Sequence, residues 1–186
     1  MAMETPLCHY GWPAAEFALK DTAGAHHTLA SLRGPRGLLL MFICNHCPYV
    51  QAVIDRICRD ARELQPLGIG VAAIMSNDTD AGAGYPEDSF DNMRRLACEM
   101  HFSFPYLHDA TQAVARTYGA VCTPDFFGFN GELTLQYRGR LDASGRAPAA
   151  PDTRRDLFEA MREIAASGCG PHVQTASIGC SIKWRT

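Results

Sequence analysis

Two stretches of the chain are apolar at both odd and even positions: Leu38-Leu-Leu-Met-Phe-Ile43, and Ile69 to Met75. A strand with one solvated face alternates, so these runs predict strands buried on both faces, as in a parallel or mixed sheet. Between them Val50, Val53, Ile54, Ile57, Cys58, Ala61 and Leu64 recur at steps of three and four, the stripe of an amphipathic helix. Pro48 suits its first turn, where a missing N–H costs nothing, and Pro66 with Gly68 ends it. Phe90, Met93, Ala97 and Met100 mark a second amphipathic helix, and Thr111 to Tyr118 a short third. Leu157, Phe158, Met161, Ile164 and Ala165 mark a last one, with Asp152 placed to cap it and Gly168 to stop it.

Antiparallel signals surround this core. Glu16 to Leu19, the turn Asp21-Thr-Ala-Gly24 and His27 to Leu29 predict a hairpin, and so do Phe126 to Phe129, Asn130-Gly131 and Leu133 to Tyr137. Phe104 to Leu107 reads as a short extended piece and Ser76 to Glu87 as a loop. Asp142 to Pro151, rich in Ala and Pro, reads as a linker. Cys169 to Thr186 has no period. The expected class is α/β: a central mixed sheet flanked by helices on both faces, with an N-terminal β-hairpin. The expected division is a domain over 1–168 and a C-terminal tail over 169–186.

With 186 residues, 47% apolar and 20% charged, the chain fits one folded domain and not a disordered one. A net charge of −3, with no Lys/Arg run longer than two, argues against a nucleic-acid partner. The longest apolar run, Leu38 to Cys44, is far short of the roughly 20 residues that span a bilayer, so no membrane association is expected. Met1 to Pro6 has neither the basic start nor the apolar stretch of a signal peptide, and the expected location is cytoplasmic. In a reducing compartment most of the eight cysteines should be packing residues or chemical groups. Cys58 and Cys98 sit on or beside apolar helix stripes and read as packing.

Cys44-Asn45-His46-Cys47 is different, because it falls where a buried strand turns into a helix. A helix N-terminus presents free N–H groups and partial positive charge, which favour a thiolate. Two intervening residues let the sulfurs close a small disulfide ring: Cys44 attacks a substrate disulfide and Cys47 resolves the mixed disulfide. A protonated His46 would add positive charge beside Cys44, and the Asn45 amide could donate to sulfur. Zinc is the structural competitor. It needs about four ligands, and the other candidates, Cys169, His172 and Cys180, all lie in the tail. A copper or other metal-handling module using Cys44, Cys47 and a histidine is a further alternative. The dithiol carries both electrons, so no organic cofactor is required.

The second signal is Cys122-Thr123-Pro124-Asp125, just before a hairpin strand. Together with the upstream Cys-x-x-Cys it resembles the thioredoxin fold. The resemblance narrows on Phe42-Ile-Cys-Asn-His-Cys-Pro-Tyr-Val50, Val121-Cys-Thr-Pro-Asp-Phe-Phe127, Tyr137-Arg-Gly-Arg-Leu-Asp142 and Ser177-Ile-Gly-Cys-Ser-Ile-Lys-Trp184. These are similar to the peroxiredoxin-like redoxins of the alkyl-hydroperoxide-reductase/thiol-specific-antioxidant (AhpC/TSA) branch that carry Asn-His-Cys-Pro-Tyr-Val. The resemblance implies a thiol–disulfide oxidoreductase acting on protein or small-molecule disulfides, recharged by a dithiol electron donor. It implies a cis Pro124 facing the Cys-x-x-Cys turn, and a substrate groove lined by Asn45, Pro48, Thr123 and Pro124. In that groove Thr123 offers its backbone to an extended peptide, and Cys122 lies near it, as a small buried residue in the first instance and an auxiliary thiol in the alternative.

The chain departs from its better-known relatives. The acid expected six residues before the first cysteine is Leu38. Peroxiredoxins carry Pro-x-x-x-Thr-x-x-Cys; aligned on Cys44 those positions are Gly37 and Met41, and aligned on Cys47 they are Leu40 and Cys44. Neither register supplies the hydroxyl that would hold a peroxide, so thiol peroxidase activity is the alternative reading. His26-His27, His101, His108, Arg94-Arg95 and Arg154-Arg155 read as solvated or salt-bridging residues.

Overall fold

The computed structural model describes residues 1–79 and 85–185. Its strands are β1 (Ala2–Glu4), β2 (Ala18–Asp21), β3 (His26–Thr28), β4 (Gly37–Phe42), β5 (Ile69–Met75), β6 (Tyr106–His108), β7 (Cys122–Thr123), β8 (Asp125–Asn130), β9 (Leu135–Arg138) and β10 (Ile178–Ser181). The helices are α1 (Leu29–Leu32), α2 (Pro48–Gln51), α3 (Ile54–Leu64), α4 (Phe90–Glu99), α5 (Ala113–Tyr118) and α6 (Asp156–Ser167).

The parity of β4 organises the molecule. All six of its residues are buried, and successive side chains leave by opposite faces. Leu39 and Met41 join one core with Val71, Ala73 and Met75 of β5, under α3, α6 and Met93 of α4. Leu38, Leu40 and Phe42 join the other with Ala72 and Ile74, under Leu29 and Leu32 of α1 and Val114, Ala115 and Tyr118 of α5. Each fully buried Leu, Ile or Phe contributes roughly 1.5–3 kcal/mol, so a strand apolar at both parities holds helices on both faces.

The strand order is β3-β2-β6-β5 in one part of the sheet and β4-β8-β9 in the other. The two parts meet where the Ile43 N–H donates to the Ile74 carbonyl at 3.0 Å. β5 and β6 are parallel; β2–β3, β4–β8 and β8–β9 are antiparallel, so the sheet is mixed. The N-terminal hairpin β2–β3 is present as expected. No described helix is long and apolar enough to cross a membrane.

Four local features differ from the sequence expectations. The helix expected over Val50 to Leu64 is two helices, tightened at Val53, whose N–H donates to the Val50 carbonyl three residues back. Val50 and Val53 are both buried, so the break keeps the stripe facing inward. The last helix starts at Asp156, and Asp152 lies in a turn instead of capping it. Arg155 at that boundary reaches Asp60 at 2.6 Å and Glu63 at 2.8 Å on α3, which pins the helix start there. The β8–β9 connection is longer than a two-residue Asn-Gly turn. Asn130 Oδ1 accepts from the N–H groups of Glu132 and Thr134 and from the Thr134 hydroxyl, and its side chain thereby shapes the loop. Finally, part of the segment without periodicity is strand: β10 lies between β1 and β7, antiparallel to both.

Candidate active site

β4 ends two residues before Cys44, and Cys47 stands at the N-terminal boundary of α2 with Pro48 in the first turn. From the other side β7 brings Thr123. Cys44 Sγ lies 3.3 Å from the Thr123 hydroxyl, and the Cys47 thiol donates to the Thr123 carbonyl at 3.1 Å. The Thr123–Pro124 peptide is cis. Both cysteines are buried, with exposures of 1% and 0%. Pro124 also lines a cleft of about 250 Å³, with Tyr49, Val53, Phe126, Leu141 and Ile178 among its other walls.

His46 does not face Cys44 alone. Its Nδ1 is 3.7 Å from Cys44 Sγ but 2.5 Å from Asp88 Oδ2. Asp88 is fully buried and accepts four hydrogen bonds: from the Asn45 and His46 N–H groups at 2.8 and 3.0 Å, from His46 Nδ1, and from Asn77 Nδ2 at 2.8 Å. Burial works against its charge, yet the bonds from His46 and Asn77 outweigh burial and hold the carboxyl below its ordinary range. The Tyr85 ring stacks on His46 at 4.5 Å, and Lys183 Nζ lies 5.3 Å from that ring.

These contacts decide the electrostatics of the sulfurs. Cys44 is pushed up by the neighbouring Cys47 sulfur, by desolvation and by the Asp88 charge. Cys47 is pushed down, first by the neighbouring Cys44 sulfur and, against burial, by Thr123 and Cys180. The two sulfurs are coupled, so the reduced pair favours one thiolate and one thiol over two thiolates. The sequence expectation had His46 favouring a Cys44 thiolate. The same nitrogen lies nearer Asp88 Oδ2, at 2.5 Å, than Cys44 Sγ, at 3.7 Å, so the imidazole stands between carboxylate and sulfur.

Comparison with known proteins places this arrangement. Residues 10–140 match the model of the AhpC/TSA family. The chain belongs to that family. Over its whole length it is 40% identical to an uncharacterized conserved protein from Geobacillus kaustophilus, covering 97% of that chain with a TM-score of 0.92. A hypothetical protein from Sinorhizobium meliloti 1021 is 34% identical, with 98% of each chain covered and a TM-score of 0.88. Peroxidoxin BcpB from Mycobacterium tuberculosis shares the fold at 14% identity and a TM-score of 0.63, over 87% of this chain and 98% of that one. A search of curated proteins found no match. The fold is thioredoxin-like, and AhpC/TSA membership makes oxidoreductase chemistry the general expectation.

In this AhpC/TSA protein the other sequence-derived candidates divide. Pro48 is exposed at the mouth of the Cys44–Cys47 turn. The Asn45 amide does not donate to sulfur: it donates to the Glu87 carbonyl at 2.9 Å and accepts from the Tyr106 hydroxyl at 3.0 Å, which anchors the turn to the 3-10 turn ending at Asp88. Thr123 does not present a free strand edge, because β10 already pairs with β7, Cys180 opposite Thr123. Cys122 is buried, and desolvation followed by the Asp125 charge pushes its thiol well up, so it acts as packing. Among the described residues one trio could hold a metal: Cys44, His46 and Asp88, with ligand atoms within 4.8 Å of one another. Cys169, His172 and Cys180 are not part of it. His27 pairs with Asp21 at 2.8 Å, tying down the first hairpin.

Two site residues escaped the sequence reading. Asp88 follows the segment read as a loop and had no feature to separate it from Glu87. Cys180 was visible as a thiol, but its strand was not.

Proposed function

We propose that this protein is a thiol–disulfide oxidoreductase whose redox-active pair is Cys44 and Cys47. The observation that carries the reading is the convergence of both sulfurs on Thr123, one on its hydroxyl and one on its carbonyl, beside Pro124. The chemistry needs one thiolate and one thiol, and the pair shares one proton. Transfer of the Cys44 proton to Cys47 leaves a Cys44 thiolate to attack a substrate disulfide. The first substrate sulfur leaves as a thiolate and takes up the Cys47 proton, and the Cys47 thiolate then displaces the second substrate sulfur and closes Cys44–Cys47. His46 and Asp88 set the local field, Pro48 borders the entrance, and the apolar cleft lined by Pro124 takes the substrate's side chain. Protein or small-molecule disulfides fit that description, and a dithiol donor in a reducing compartment such as the cytoplasm restores the pair.

One contact favours a second reading, reduction of peroxides at Cys44. The hydroxyl missing from the local sequence motif is supplied from β7 by Thr123. No guanidinium accompanies it among the described contacts of Cys44, and the nearest carboxylate, Asp88, opposes a developing negative charge. Disulfide exchange is therefore the stronger activity. Turnover on insulin disulfides should exceed turnover on hydrogen peroxide with dithiothreitol as donor, and Cys44→Ser and Cys47→Ser should abolish it. Saturable peroxide consumption faster than insulin reduction, lost in Cys44→Ser, would reverse the order.

A further inference from the structure

A third sulfur stands at the site. β10 runs antiparallel to β7 with Cys180 opposite Thr123, the residue that holds both other cysteines. Thr123 thus stands between Cys47, whose Sγ lies 3.1 Å from its carbonyl oxygen, and Cys180 on the paired strand, and the Cys180 side chain packs on the core that contains Cys44 and Cys47. Gly179 brings the strand this close: a Cβ there would stand 2.0 Å from the Thr123 carbonyl oxygen and 3.0 Å from Pro124 N. Only glycine permits that backbone approach. The edge where a peptide substrate was expected is thus filled by the chain's own cysteine.

Exposure separates the three sulfurs. Cys44 and Cys47 are buried, and Cys180 is half-buried. A disulfide that includes Cys180 therefore offers an external thiol a more accessible sulfur than one confined to Cys44 and Cys47.

We propose that Cys180 is a third redox cysteine, which takes over the disulfide from Cys44–Cys47 and presents it to the external dithiol donor. This rests on the reading of Cys44 and Cys47 as a redox pair. The Cys180 thiolate attacks Cys47 Sγ; the Cys47–Cys180 bond forms, the Cys44–Cys47 bond breaks, and Cys44 leaves as thiolate and takes up the proton Cys180 gave up. No electrons enter or leave in this step. One sulfur of the external dithiol then attacks Cys180 Sγ and releases Cys47. Its second sulfur closes the donor's own disulfide and releases Cys180, so the donor's two electrons end on Cys47 and Cys180. In the reduced protein burial raises the Cys180 thiol, and so does the neighbouring Cys47. Once Cys47 is in a disulfide it carries no charge, while Lys183 still favours the thiolate.

The test is disulfide mapping by peptide mass spectrometry after diamide oxidation of the full chain and alkylation of free thiols. Wild type should yield both Cys44–Cys47 and Cys47–Cys180 peptides, and Cys44→Ser should yield Cys47–Cys180. Cys180→Ser and Cys180→Ala, each with wild-type circular dichroism, should still form Cys44–Cys47 but be reduced by dithiothreitol about tenfold more slowly. If Cys44→Ser gives no Cys47–Cys180 link, or both Cys180 variants are reduced as fast as wild type, the relay is overturned and a Cys44–Cys47 link leaves the pair standing. If wild type and the Cys180 variants all lack a Cys44–Cys47 link, the pair itself is refuted, and the relay with it.

Discussion

Replacing Asp88 by Asn removes one buried negative charge and keeps the shape that Asn45 and His46 fold around. Cys44 Sγ, His46 Nδ1 and an Asp88 oxygen lie within 4.8 Å of one another. At that distance two unit charges in a protein-like medium interact by about 3–4 kcal/mol. The imidazole of His46, hydrogen-bonded to Asp88, offsets part of this in the native protein. The net relief on the pair is about 1.4–2.8 kcal/mol, or roughly 10- to 100-fold more thiolate at fixed pH below its titration. A stabilised thiolate stabilises the reduced protein, so the disulfide becomes about 30–60 mV more oxidising. Thiolate absorbance against pH and equilibration with a glutathione buffer read the two quantities. His46→Gln supplies the opposite sign, because it leaves Asp88 uncompensated beside the sulfur. A folded Asp88→Asn protein with an unchanged thiolate titration and potential would refute the account of the site's field.

The same carboxylate also holds the fold. Asp88→Ala strands four donors, and breaking a buried charge pair costs about 3–5 kcal/mol. In a chain of this size that lowers the melting temperature by about 6–20 °C. The folded-state pKa of Asp88 is depressed, so its contribution is fully present above the unfolded value near 3.9 and is lost as pH falls through the still lower folded value. The stability gap between wild type and Asp88→Asn should therefore narrow below about pH 4, and a gap that widens there contradicts the assignment.

Three further outcomes are expected. Gly179→Ala drives a Cβ into the Thr123 carbonyl and should cost about 1–3 kcal/mol, read as a lower melting temperature; an unchanged melt would mean β10 is not packed on the Thr123–Pro124 peptide. Arg138→Met leaves Asp125 buried without its 2.8 Å partner and should cost about 3–5 kcal/mol near neutral pH. Asp125 is already raised to about 6, by burial against the pull of Arg138, and a raised carboxyl favours the folded state more as it protonates. Denaturant midpoints of that variant should rise from pH 8 to pH 5, and a fall would count against this explanation. Phe127→Ala, which empties the middle of the face shared with Phe42, Tyr118 and Phe129, should cost about 3–5 kcal/mol in chemical denaturation.

What was legible in the sequence is what local pattern encodes. β4 and β5 declared themselves because burial on two faces removes polar residues at both parities, and the Cys44–Cys47 turn did so because two closely spaced cysteines stand between a strand and a helix. The break at Val53 was not legible, since Val50, Val53, Ile54 and Ile57 fit one continuous stripe as well as two abutting helices. Asp152 looked like a cap because capping is judged over three or four residues, whereas the true start of α6 is set by Arg155 binding Asp60 across the core.

The site itself shows why residue-by-residue reading misses the partner of His46. A histidine beside a cysteine is a positive influence only if nothing nearer claims its proton. The claimant, Asp88, is 42 positions away in sequence and is drawn in by bonds from the Asn45 and His46 backbone that any residue types at those positions could donate. No side-chain pattern records such a contact. Cys180 shows the same logic from the other end of the chain: its strand has no hydrophobic period because it is short and pairs at its edges with β1 and β7, yet its neighbour Gly179 is the one residue type that permits the approach. The charge that governs the pair is therefore a property of three distant segments meeting at Thr123 and Asp88, and mutating any one of them should move the titration of a sulfur it does not adjoin in sequence.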